Sequence, residues 1–119
     1  MNNDIQYFQQ SARLSGCVVH AGLAYLSGQV PSNLDADMKQ QTLEVLAKID
    51  ALLEQVGSDK SRILTAQIWI KNIAEDFNVF NECWEAWLPQ GYAPARAALQ
   101  ADLARPQVLV EVMLTAALK

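Results

Sequence analysis

Two cysteines, one histidine and nine basic residues among 119 are what this chain has least of. Cys17 and Cys83 stand far apart and neither belongs to a C-x-x-C pair, so neither a disulfide framework nor a zinc site is suggested. Both read as free thiols. His20 is the only histidine, and no Ser-His-Asp or Cys-His triad can be assembled around it; a partly exposed strand histidine is the plainer reading. Thirteen acidic residues against nine basic ones leave a formal net charge of −4. With Lys and Arg scattered along the chain, nothing attracts a phosphate backbone, which argues against nucleic acid as a partner. No apolar run reaches the ~18 residues of a membrane span. Met1-Asn2-Asn3-Asp4-Ile5-Gln6 has neither the basic nor the apolar region of a leader, so a cytoplasmic protein with no membrane partner is expected. Repeats, low-complexity tracts and linkers are absent, and the Gly and Pro residues are spread singly.

What is present is apolar. A chain of this length supports one hydrophobic core, which makes residues 1–119 a single domain. The 51% hydrophobic content is slightly high for a small monomer, so apolar surface buried between subunits, and hence a homo-oligomer, is expected.

Local patterning divides the chain. Val18-Val19-His20-Ala21-Gly22 and Leu23-Ala24-Tyr25-Leu26-Ser27-Gly28 read as a hairpin with Gly22 near the turn. Asn33 and Asp35 open a helix over about residues 35–56. There Leu43, Leu46, Ile49, Leu53 and Val56 share one face, and Gly57 ends it. Leu64, Ala66, Ile68 and Ile70 alternate with polar neighbours as a strand. Phe77, Phe80, Trp84, Trp87 and Leu88 form the stripe of a second helix, led by Glu75 and Asp76 and ended by Pro89 and Gly91. Two further strands fall at about 94–101 and 107–117. The order β-β-α-β-α-β-β predicts an α+β layer structure, two helices on one face of a single sheet, with the other face too apolar to stay in water.

Two charges stand in unlikely places. Glu111 is the only charged residue in the run from Val108 to Leu118, which reads as a strand buried on both faces. A carboxylate there is expensive unless paired or of raised pKa. Arg96 is alone among small and apolar residues from Tyr92 to Leu99. A buried arginine that grips a carboxylate in a two-pronged hydrogen bond, near such a glutamate, makes an acid–base site; a structural ion pair of Arg96 with Glu111 or with a neighbouring subunit's acid is the plainer alternative.

Ser27-Gly28-Gln29-Val30-Pro31, the segment Gly57 to Leu64, and Pro94-Ala95-Arg96 followed by Val110-Glu111-Val112 resemble the RidA (YjgF) family over nearly the whole chain. Asn33-Leu34-Asp35-Ala36-Asp37 and Trp84-Glu85-Ala86-Trp87 resemble its YoaB-like members in particular. The resemblance implies a chorismate-mutase-like fold, a homotrimer with its sheets around a central barrel, and clefts between neighbouring subunits. It also implies hydrolysis of reactive enamines and imines such as 2-aminoacrylate to 2-keto acids and ammonia, without metal or organic cofactor.

By the same resemblance Arg96 is the substrate-carboxylate arginine, Glu111 the water-activating glutamate, Asn81 the helix asparagine and Ser27 the strand-end serine. Main-chain groups at Gly28 complete the pocket, and Tyr92 borders it through its nearness to Arg96. For each there is a bland reading. Ser27 satisfies local backbone groups, Asn81 is a helix-surface amide, and Trp84 and Trp87 pack the core. Two positions depart from the family. Counted without gaps back from Ser27, Leu14 stands where active members carry a cleft-lining tyrosine, and Ala98 stands where they often carry a cysteine. The first loses a hydroxyl and an aromatic wall; the second excludes a thiol. A non-catalytic trimer that binds a 2-keto acid or other small carboxylate is therefore the alternative. RNA cleavage, associated with some relatives, finds little support in an acidic chain with a lone histidine.

Overall fold

The computed structural model describes residues 4–119; Met1, Asn2 and Asn3, which begin the segment read above for a leader, lie outside the described residues. Strands β1 (Gln6–Gln10), β2 (Ser15–His20), β3 (Leu23–Gln29), β4 (Ile63–Ile70), β5 (Ala95–Gln100) and β6 (Val110–Ala117) form one mixed sheet ordered β1-β2-β3-β6-β4-β5. Helices α1 (Met38–Gln55) and α2 (Ile73–Trp87) pack on one face of it. β4, α2 and β5 form a β-α-β unit, which is why β4 and β5 pair in parallel while all other pairs are antiparallel. No helix among the described residues is long and apolar enough to cross a membrane.

The punctuation follows the residues that impose it. Ala21 and Gly22, both at positive φ, make the two-residue β2–β3 turn whose twist suits a hairpin. Gly57, at φ +81°, ends α1: its amide donates to Glu54 O, and that of Ser58 to Leu53 O at 2.8 Å. Phe80, Leu46, Ile49, Leu53, Ile68 and Ile70 are fully buried between helices and sheet. Gln41 is fully buried too. Its Nε2 donates to Ala36 O and Gln107 O, and its Oε1 accepts from Leu109 N at 2.8 Å, tying α1 to the segment that enters β6.

Several expectations are corrected. The sheet has a strand more than foreseen, β1, which pairs with β2 through Tyr7↔Val18 and its neighbours. α1 starts later than Asp35: Asp37 is the cap, its carboxylate accepting from Gln40 N, while the Asn33 side chain is taken up by Asp35 N. Leu43 is exposed, because it borders a groove between α1 and α2 on the outer surface. In β4 the register slips between Ile63 and Thr65, so Ile63 occupies the core and Leu64 faces out. β6 is not buried on both faces. Val110, Val112, Leu114 and Ala116 enter the core, while Glu111, Met113, Thr115 and Ala117 line the helix-free face.

Candidate active site

β5 is an edge strand, and the parallel register sets Arg96 opposite Ala66, a core-facing residue. Arg96 therefore points to the helix side, where its guanidinium lies over the Phe77 ring of α2 at 5.6 Å. The expectation of a buried arginine is wrong for the single chain. At the open edge of the sheet Arg96 is exposed, its charge still in water.

One helical turn beyond Phe77, Asn81 points to the same side of α2. Its Oδ1 is buried with no hydrogen-bond partner among the described residues. Asn81 and Arg96 line one cleft of about 310 Å³, walled by Trp84, Leu88 and Pro94. A planar cation that donates in a fork and a side-chain amide, its carbonyl unpartnered and turned away from solvent, thus line one concavity. That pairing suits a small acid that also carries an N–H. Arg96 also borders a hollow of about 450 Å³ on the helix-free face, with Thr65, Gln67, Ala95, Ala97, Met113 and Thr115.

Glu111 belongs to the other face. It sits opposite Trp69 in the β4–β6 register, flanked by the core residues Val110 and Val112. Between Leu26 and Gln29 the β3–β6 register shifts, since three steps along β3 match two along β6. This bulge brings the Gly28 backbone under the Glu111 side chain. A Cβ on Gly28 would stand 2.0 Å from Glu111 Oε2, so only glycine leaves room for the carboxylate there. Partial burial pushes the Glu111 carboxyl above its ordinary 4.5. No arginine or lysine offsets the burial, because the ion pairs among the described residues are Lys48–Glu44 and Lys119–Asp59. The structural ion pair of Arg96 with Glu111 is not formed. Two inter-strand spacings, across β4, and three residues along the strands separate them, about 14 Å between Cα atoms, with the side chains on opposite faces.

The remaining candidates divide. Ser27 beside Gly28 is satisfied locally: its Oγ donates to Gly16 O at 3.2 Å and accepts from Gln29 Nε2 at 3.3 Å. Tyr92 does not line the Asn81–Arg96 cleft. It is 56% exposed, carried outward by a turn in which its amide donates to Pro89 O and Gly91 takes φ +90°. Trp84 is buried and stacks on Phe80, and Trp87 donates to Asp50. Leu14 is exposed between β1 and β2. Phe77, the platform for Arg96, was read from the sequence only as part of an apolar stripe; its i, i+4 relation to Asn81 is the signal that pointed to more. The described residues contain no cluster of His, Cys, Asp and Glu able to hold a metal ion.

A helix-backed mixed sheet, with a cationic cleft at one edge and a half-buried carboxylate over a glycine bulge, defines an α+β scaffold of two helices on one sheet. Comparison makes this specific. The family described as Endoribonuclease L-PSP matches residues 5–118. The RutC family protein YoaB of Escherichia coli is 46% identical over 106 residues, 89% of this chain and 91% of that protein. A crystal structure of a YjgF-family member from Neisseria meningitidis superposes with a TM-score of 0.94 at 42% identity, covering 98% of this chain and 96% of that one. A protein of the conserved Rid family from Yersinia pestis superposes with a TM-score of 0.82 at 30% identity, covering 92% and 90%. The chain belongs to this RidA/YjgF/L-PSP family.

Proposed function

We propose that this protein is a homotrimeric, cofactor-independent enamine/imine deaminase acting in the cytoplasm. The observation that carries the reading is that Arg96 and Asn81, whose Oδ1 has no partner among the described residues, line one cleft. Together these groups match the imine N–H and the carboxylate of a 2-imino acid. In the reaction an enamine such as 2-aminoacrylate first gains a proton on its terminal carbon and loses one from its nitrogen to water, becoming the imine. Water oxygen then bonds to C2, the C–N bond of the resulting carbinolamine breaks, and a 2-keto acid and ammonia leave. Glu111 takes the proton from water and returns it to the departing nitrogen. A carboxyl whose pKa burial raises above the ordinary 4.5 holds a proton more readily than a free one, which suits the return step.

Since Arg96 and Glu111 occupy opposite faces of one chain, a complete site needs a second copy. The helix-free face, where Tyr7, Tyr25, Leu99 and Met113 are 43–54% exposed, is the apolar surface available for it. Seated on the β5 edge of a neighbour, that face would bring Glu111 to the neighbour's Arg96 cleft.

The test is keto-acid release from freshly generated 2-aminoacrylate by wild type, Arg96→Ala and Glu111→Gln at matched oligomeric state. Acceleration by wild type and its loss in both variants is the expected result. The alternative, a carboxylate-binding trimer without catalysis, draws on Leu14 in place of the family's tyrosine. It would give no acceleration, together with calorimetric binding of pyruvate that Arg96→Ala abolishes.

A further inference from the structure

Phe77, Asn81 and Glu85 are spaced by four residues on α2 and so occupy three successive turns of one face. The first carries the Arg96 guanidinium. The second offers the unpartnered Oδ1, and the third lines the same cleft beyond it, beside Trp84 and Leu88. In an imino acid held by its carboxylate at Arg96 and its nitrogen at Asn81, the side chain is the third substituent of C2 and is left to occupy the rest of the cleft, which Glu85 also lines. Among the described residues Arg96 and Glu85 are the only charged ones lining the cleft, and Glu85 has no ion-pair partner. At about 310 Å³ the cleft falls at the lower end of the range of small-molecule sites, and a three-carbon imine would leave much of it unfilled.

Resting on the deaminase reading above, we propose that Glu85 is a specificity-determining residue. Trp84, Leu88 and Pro94 form an apolar wall for the substrate's side chain, and Glu85 sorts the end of that chain by charge. Two-imino acids with a cationic tip are favoured, neutral ones are accepted, and acidic ones are rejected by like-charge repulsion. Glu85 neither touches the reacting atoms nor moves a proton. Its influence is on the relative kcat/KM of substrates that differ only beyond Cβ.

The experiment uses the intact oligomer and imino acids released in situ by amino-acid oxidases, with catalase present, from arginine, methionine and glutamate. Wild type is expected to prefer the arginine-derived imine to the glutamate-derived one. Glu85→Gln lowers that ratio about two- to fivefold, the range of an exposed charge pair, and Glu85→Lys lowers it roughly tenfold or more, with the methionine-derived imine little affected. A loss of fold would depress all three substrates together and leave the ratio where it was. Turnover with a ratio unmoved in both variants overturns the charge selection alone. No hydrolysis of any of the three by wild type overturns the deaminase reading and this inference with it.

Discussion

Replacing Gly28 by alanine would put a methyl group 2.0 Å from Glu111 Oε2 and 2.9 Å from its Cδ. Ordinary contact begins at 3.4 Å, so the carboxylate must retreat by the difference, about 1.4 Å. The backbone itself accepts alanine, since the glycines at positive φ are Gly22, Gly57 and Gly91. What gives way is the free end of a flexible side chain, by a change of rotamer costing about 1 kcal/mol, which lowers Tm by roughly 4–6 °C. On the proposed mechanism catalysis has no such latitude, because displacing a proton-transfer group by more than an ångström costs about 100-fold in rate. The signature of Gly28→Ala is therefore a protein that melts almost normally and turns over poorly, measured by calorimetry and by initial rates of keto-acid release. A double-mutant cycle with Glu111→Gln sharpens it, since the two losses should not add when both act through one carboxylate. A stable Gly28→Ala protein with wild-type kcat/KM would refute the placement of Glu111 in the chemistry, as would fully additive losses.

Other outcomes follow from the same geometry. Because burial raises the Glu111 carboxyl above its ordinary 4.5, the folded chain holds this proton to higher pH than the unfolded chain. Stability from this group is untouched below that value, falls as pH rises through the folded pKa, and stays reduced beyond. In a dissociated chain, with no neighbour's Arg96 beside the carboxyl, Glu111→Gln should thus melt above wild type near pH 8 and level with it near pH 4 in a thermal scan. Arg96→Lys should leave thermal stability within about 0.5 kcal/mol, as for an exposed edge residue. It should lower kcat/KM by more than tenfold, because an ammonium cannot reproduce the planar fork. Gln41→Ala strips Leu109 N, Ala36 O and Gln107 O of their buried partner, which in urea unfolding should appear as a loss of about 3 kcal/mol or more.

Elements that carry their own periodicity or punctuation were legible in the sequence. The α2 stripe, the Gly57 stop and the Ala21-Gly22 turn depend on residues within a few positions of one another, and all appear where local chemistry puts them. β1 does not advertise itself. Gln6-Tyr7-Phe8-Gln9-Gln10 is mostly polar and is a strand by virtue of its pairing with β2, a tertiary fact. The exchange of Leu64 for Ile63 in the core turns on a register slip that no alternation pattern reveals. The candidate site was legible as residue types and not as an arrangement: Glu111 and Arg96 stand out in sequence as isolated charges. Their separation onto opposite faces requires knowing that β5 joins β4 in parallel with Arg96 level with Ala66.

That separation has a genetic reading. In the trimer proposed above, each working site draws its arginine from one chain and its glutamate from another. A chain lacking Arg96 and a chain lacking Glu111 are then both null when made alone. Mixed in one oligomer, they meet at some junctions where the intact arginine of the second faces the intact glutamate of the first, so two null alleles rescue one another. A single chain carrying both lesions does the reverse and silences both junctions it enters. Damage here is inherited by the junction and not by the polypeptide.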